Sequence, residues 1–242
     1  ASFTVLGSIA LHGLRLSETS LGSKVVVIGL GIIGQLVCRL AEAQGSEVIG
    51  IDPDTKRTDL SANFYTSVEE ANMTNVDSVI ITAATSSNEP IEVATKIARN
   101  KAKIVVVGDI PLNISRNDFY YKELELVVSK SYGPGRYDKQ YEILGKDYPI
   151  EYVRWTENRN FEAFIKLLSQ NQIHLLDLVT EEVSFENAPS IYKKFSGEDK
   201  PLSVVLRYDN KSEPKIDLQR TVELEPKTEK VNLGILGAGN FA

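Results

Sequence analysis

Two hydrophobic patterns alternate along the first half of the chain. Short unbroken apolar runs are followed by stretches in which apolar positions return every three or four residues. Val25 to Ile28 is a β-branched run without polar interruption, the pattern of a parallel strand covered on both faces. From Ile32 onward Ile33, Leu36, Val37, Leu40 and Ala41 keep helical spacing, and Gly45 marks the stop. Glu47 to Asp52 reads as a second strand, Phe64-Tyr65-Thr66 as a third, Val76 to Ala83 as a fourth, Lys103 to Val107 as a fifth and Leu124 to Ser129 as a sixth. Short polar helices are expected from Pro53 and around Arg116 to Lys122. A longer one opens at Glu89-Pro90, with Ile91, Ala94, Ile97 and Ala98 on its buried face. This alternation predicts an α/β architecture built on a doubly wound parallel sheet with strand order 3-2-1-4-5-6.

The flanking regions follow other rhythms. Ala1 to Ser20 carries Leu6, Ile9, Ala10, Gly13 and Leu14 near helical spacing. Beyond the sixth strand, Phe161, Phe164, Ile165 and Leu168 mark an amphipathic helix within Glu157 to Asn171, and Val179 to Phe185 alternates like a half-exposed strand. A helix through Ile191, Tyr192 and Phe195 and a strand from Ser203 to Arg207 complete an α+β segment. Asn210 to Lys230 is charged and poor in apolar residues, the composition of a linker. At Val231 an apolar run restarts and leads into Gly237-Ala-Gly-Asn-Phe-Ala242, a second glycine turn without a following helix.

The junction of the first strand and first helix of the sheet carries the chemistry. Gly29, Gly31 and Gly34 form a Gly-x-Gly-x-x-Gly turn, the fingerprint of a Rossmann dinucleotide fold. The first glycine permits a sharp turn, the second lets a pyrophosphate approach the backbone, and the third lets helix and strand pack closely. Free N–H groups and the positive dipole end at Ile32 and Ile33 favour phosphate oxygens. Asp52, closing the second strand, is placed to accept hydrogen bonds from ribose hydroxyls and to repel a 2′-phosphate, which favours NAD over NADP; Arg57 opposes that preference slightly. Thr82, Ala83, Gly108 and Asp109 stand at later strand ends, where ribose and nicotinamide would cross. Ser131 to Tyr137 reads equally as a structural turn or as a ligand contact.

Composition narrows the alternatives. With 27 basic and 33 acidic residues the net charge is −6, and without a basic stripe nucleic acid is an unlikely partner. The single cysteine, Cys38, excludes an internal disulfide and reads as a packing residue. Two histidines, His12 and His174, cannot build a zinc cluster, so no metal is expected within this chain. His12 reads as a helix-surface residue and His174 as a solvated or capping one. No run approaches a membrane span and no leader precedes the first element, so a cytoplasmic enzyme is the default expectation. A non-catalytic NAD-responsive binding module and an S-adenosylmethionine enzyme are the alternative readings of the same glycine turn.

Leu21 to Asp138 resembles the cofactor domain of the medium-chain dehydrogenase/reductases, the zinc alcohol and threonine dehydrogenase superfamily. Gly29, Gly31 and Gly34 fall on that family's phosphate turn, and Asp52 and Arg57 on its ribose contacts. Tyr120 to Leu126, Ser129 to Tyr137 and Tyr148 to Arg159 are similar to stretches of bacterial two-module oxidoreductases. Those join such a dehydrogenase to a module like glucose-fructose oxidoreductase and inositol dehydrogenase. The resemblance implies an NAD-dependent alcohol, polyol or sugar dehydrogenase of bacterial carbohydrate or polysaccharide metabolism, with a homodimer through the edge strand Leu124 to Ser129. It divides the chain into the end of a truncated catalytic domain (1–20), an NAD-binding domain (21–140), a segment returning to a missing catalytic domain (141–208), a linker (209–230) and the truncated start of a second Rossmann module (231–242). Catalytic residues are then expected outside this chain.

Overall fold

The structure, a computed structural model, describes residues 2–61, 63–195 and 200–208. The linker and second glycine turn expected beyond 208 lie outside the described residues. A compact unit runs from Ala1 to Arg207. Its centre is a six-stranded parallel sheet of β1 (Lys24–Ile28), β2 (Glu47–Ile51), β3 (Phe64–Tyr65), β4 (Val76–Ile81), β5 (Ala98–Val106) and β6 (Glu125–Val128), in the order β3-β2-β1-β4-β5-β6. The doubly wound topology is therefore present as expected.

β1 shows why its unbroken apolar run was needed. Strand side chains alternate between faces, and each face is covered. Val25 and Val27 enter a core with Leu11, Leu14, Leu36 and Phe164, whereas Val26 and Ile28 enter another with Ile81, Ile91 and Ile104. The first core lies under α1 (Thr4–Leu16), α2 (Ile32–Ala43) and α8 (Glu157–Ser169). Over the second packs α5 (Glu89–Ile97), with short helices α3 (Thr55–Thr58), α4 (Val68–Ala71), α6 (Arg116–Tyr120) and α7 (Lys139–Glu142) in the connections. Separately, β7 (Glu181–Ser184) and β8 (Val204–Arg207) form a parallel pair connected through α9 (Ala188–Phe195).

Three local expectations change. Ala98 is buried, but as the first residue of β5 paired with Val76, not as part of the preceding helix. The helix stops there because its chain turns extended at Ala98, and the Lys122 ammonium donates to the Thr95, Lys96 and Ala98 carbonyls at 2.7–2.8 Å. Ile165 is half exposed, since the buried stripe of α8 passes through Glu157, Asn160 and Phe164. His12 is not on the surface: it is buried on α1, where a Cβ on Gly133 would stand 3.1 Å from its Nδ1.

That burial has a pH consequence. Desolvation, then the neighbouring Arg15 charge, lowers the His12 pKa below its usual range. The unfolded chain therefore binds the extra proton more readily. Stability is fully present above the ordinary value of about 6.5 and falls as pH drops from there through the folded value. Thermal denaturation from pH 7.5 to 5 is expected to show this loss, and His12→Gln to flatten it relative to the parent.

Candidate dinucleotide site

The cleft opens at the carboxyl ends of the strands, around the turn between β1 and α2. Gly29 adopts φ +96°, and a Cβ there would lie 2.5 Å from the Ala83 backbone nitrogen. Only glycine fits that position without displacing the chain. At Gly34 a Cβ would stand 1.9 Å from the Gly29 carbonyl oxygen, the close strand–helix approach the third glycine was expected to serve. Gly31 differs from both. It caps α2 at φ −64°, and a Cβ on it would meet only the Arg57 guanidinium, at 4.0 Å. The space beside it is open, and the first-turn N–H groups of α2 border it.

Asp52 is buried at 4 % exposure, and its carboxylate organises the turn. Oδ2 accepts from the Leu30 N–H at 2.7 Å and from the Arg57 guanidinium at 3.2 Å, while Oδ1 accepts from the Asp54 N–H at 2.9 Å. Arg57 also pairs with Asp54 at 3.3 Å. The acid is thus a structural anchor of the glycine turn as well as a wall of the cleft. A buried glutamine that sequence reasoning missed completes this frame: the Gln35 side-chain amide donates to the Leu30 and Arg57 carbonyls at 3.3 and 3.2 Å. Its polar character on the inner face of a helix was the available signal.

A cleft of about 600 Å³ collects Gly29, Gly31, Asp52, Arg57, Thr82 and Ala83. Thr66 and Ser67 of the β3–α4 loop, Val68 of α4 and Glu92 of α5 also line it, none of them foreseen, as does Thr85 beyond the end of β4. The remaining sequence candidates do not line it. Ile32 and Ile33 direct partly buried side chains against the core, so any phosphate contact would come from their backbone. Gly108 packs its backbone on Ala83, where a Cβ would meet the carbonyl oxygen at 2.0 Å. Asp109 uses its carbonyl to accept from the Thr85 N–H at 2.9 Å.

The other candidates sort by burial and partner. Cys38 is fully buried and desolvation pushes its thiol pKa up, so it is a packing residue and not a nucleophile. His174 is exposed, and its carbonyl accepts from Arg39 at 3.0 Å. In the turn after β6, Tyr132 packs against Phe161 with ring centroids 5.3 Å apart, and Arg136 donates to Glu142 at 2.5 Å. The turn is held against α8 and does not line the cleft. Among the described residues no group of His, Cys, Asp or Glu is arranged to hold a metal, and no helix is long and apolar enough to cross a membrane.

The parallel sheet and its strand order are shared with solved dehydrogenases. Galactitol-1-phosphate dehydrogenase from Escherichia coli superimposes with a TM-score of 0.66 at 21% identity, over 85% of this chain and 59% of that one. The fold is the dehydrogenase Rossmann fold. Residues 11–118 match the family model described as D-isomer specific 2-hydroxyacid dehydrogenase, NAD binding domain. By sequence, the chain is 29% identical over 157 residues to 2-dehydro-3-deoxy-L-galactonate 5-dehydrogenase of Pseudoalteromonas atlantica, covering 57% of this chain and 44% of that protein. It is 25% identical over 206 residues to D-guloside 3-dehydrogenase of Escherichia coli, covering 77% and 54%. The chain thus spans about half the length of the curated relatives it matches.

Because Asp52 supports the turn from below, its replacement should register in stability as well as in binding. Asp52→Asn keeps the size of the side chain but leaves one of its donors without an acceptor. A loss of about 1–3 kcal/mol in denaturant unfolding is expected.

Proposed function

We propose that this chain is the cofactor-binding part of an NAD-dependent oxidoreductase that moves a hydride between nicotinamide and a carbonyl or alcohol carbon of a sugar, polyol or related alcohol. The observation that carries the reading is the open backbone at Gly31 beside the α2 N-terminus, in a cleft walled by Asp52. The family match and the sugar and polyol dehydrogenase relatives support it.

The residues present fit a dinucleotide. The N–H groups of Ile32 and Ile33 would hold the pyrophosphate, with Gly31 contributing absence of bulk. Asp52 Oδ1, which accepts one hydrogen bond from the chain, keeps capacity for a ribose hydroxyl, and Arg57 stands beside it. Thr82 and Ala83 would border the central part of the cofactor. When bound, nicotinamide supplies the hydride chemistry, and the protein supplies position and electrostatics. The acid–base groups for the substrate are proposed to belong to the part of the relatives' length that this chain does not span. Placement in carbohydrate or polysaccharide metabolism, a cytoplasmic setting, a homodimer through β6 and fusion to a second module at 231–242 remain parts of this proposal that rest on sequence resemblance. So do the domain limits given above.

Parallel titration with NADH, NADPH and S-adenosylmethionine tests it. NADH is expected to bind tightest, and Asp52→Asn to weaken NADH more than NADPH. Equal losses would remove the ribose assignment, and preference for S-adenosylmethionine would replace the enzyme class.

A further inference from the structure

Beside the turn that follows β6, two cations crowd one indole ring. The Arg15 guanidinium carbon lies 3.4 Å from the Trp155 ring centroid, and that of Arg154 lies 3.8 Å from it. Stacking on an aromatic face stabilises each cation, yet the two repel one another. Burial and the Arg154 charge together bring the Arg15 pKa down to about 10. Among the described residues, neither guanidinium has a carboxylate within ion-pair distance. The nearby His12 adds no negative charge. Of the nearby acids, Glu18 pairs with Lys103, Glu142 pairs with Arg136, Glu157 has Glu142 and Arg136 as its electrostatic neighbours, and Glu151, three residues before Arg154, is exposed.

The position of this pair is fixed by polar contacts. Arg15 donates to the Asn160 side-chain oxygen, and the Asn160 amide donates to the Tyr132 carbonyl at 2.8 Å. Tyr132 lies four residues beyond the end of β6, so the chain connects the pair to the carboxyl edge of the sheet. That edge is the ligand side of the fold, and β6 is at the opposite end of the strand order from β3, next to which Asp52 stands. Trp155 also precedes Thr156, which caps the thirteen-residue α8; its hydroxyl is fully buried and without a partner. Arg154 is exposed, so an incoming group can reach the pair from solvent.

We infer that Arg15 and Arg154, stacked on Trp155, bind an anionic group, and that the substrate is a carbohydrate bearing a carboxylate or a phosphate. This rests on the dehydrogenase reading above and specifies its substrate class. An anion at the edge of the indole, within reach of both guanidiniums, would offset their repulsion, with planar donors suited to either oxyanion.

Trp155 is the only tryptophan in the sequence, so its fluorescence reports on this site directly. The whole chain would be titrated at constant ionic strength with D-galactonate, galactitol 1-phosphate, neutral galactitol and inorganic phosphate, following Trp155 emission. A saturable change is expected with the galactonate or the sugar phosphate at a concentration at least about tenfold below that needed for galactitol. Whichever of the two acts at lower concentration identifies the carboxylate or the phosphate. Arg154→Gln, at an exposed position, should raise the half-saturating concentration about tenfold while leaving NADH affinity unchanged; Arg15→Lys, which keeps charge but not the planar fork, should raise it also. The inference is overturned if neither anion perturbs Trp155, if galactitol acts equally, or if Arg154→Gln changes nothing. NADH binding is measured on the same samples. Its failure alone refutes the cofactor reading, and its success with an unresponsive Trp155 refutes only the anion site.

Discussion

Gly31→Ala is expected to leave the chain folded and to weaken NADH about a hundredfold. The two halves of this result have separate causes. A Cβ at residue 31 meets nothing nearer than Arg57 at 4.0 Å, and the backbone there has a negative φ that alanine adopts freely. The stability cost is therefore confined to the poorer capping of α2 by alanine, no more than about 1 kcal/mol. The methyl would nevertheless stand where a pyrophosphate must approach the first-turn N–H groups, and a hundredfold loss corresponds to about 2.7 kcal/mol of that contact. Fluorescence titration with NADH beside a thermal melt checks both. Gly34→Ala supplies the contrast, because its Cβ would lie 1.9 Å from the Gly29 carbonyl oxygen and must disturb the fold itself. Unchanged NADH affinity in a folded Gly31→Ala protein would remove the pyrophosphate from this turn.

The largest effect on stability is expected at Phe164. Its ring is fully buried in the core under α1 and α8, and it lies so close to Gly7 that a Cβ there would be 2.1 Å from the ring. Phe164→Ala removes the ring from a site whose walls are helices already in contact, so collapse can fill only part of the space. A loss of about 3–5 kcal/mol is expected, measured by urea unfolding with an unchanged m-value. For a chain of this size that lowers the melting temperature by about 10 °C. Gly7→Ala attacks the same contact from the other side by overpacking, at about 1–3 kcal/mol. Because both changes affect one interface, their effects should not add. A loss below 1 kcal/mol for Phe164→Ala would show that α8 does not hold α1 in place.

Much of this molecule is legible in its sequence. The alternation of apolar runs with helical spacing points to the doubly wound sheet, most clearly at β1, β2 and β4, which are buried on both faces, and least at the partly exposed edge strands β3 and β6. The roles expected for Gly29 and Gly34 match what a Cβ would strike at each. The site was less legible. Sequence distance placed Asp52 near the turn, but not the fact that its carboxylate is already accepting from Leu30, Asp54 and Arg57. Strand-end position alone points to Gly108 and Asp109, whereas the register directs one into backbone packing and the other to a carbonyl hydrogen bond. The wall formed by Thr66 and Ser67 depends on how the short β3 pairs with β2, which two residues of strand are too few to announce.

His12 and Ile165 show the same limit within helices. Periodicity says which residues share a face, but not what covers that face. His12 is buried because α1 meets the glycine of the turn after β6, more than a hundred residues away. Ile165 is exposed because Asn160 and Phe164 turn another stripe of α8 toward α1. By itself, then, the sequence determined the alternation of strands and helices, the glycine turn and the acid at the end of β2, since these follow from local backbone freedom and from hydrophobic periodicity. Only the tertiary structure decided which groups wall the cleft, which hydrogen bonds occupy Asp52, and that Arg15 and Arg154 share Trp155. Those depend on side chains brought together from distant positions, where packing and desolvation, not sequence spacing, set the contacts.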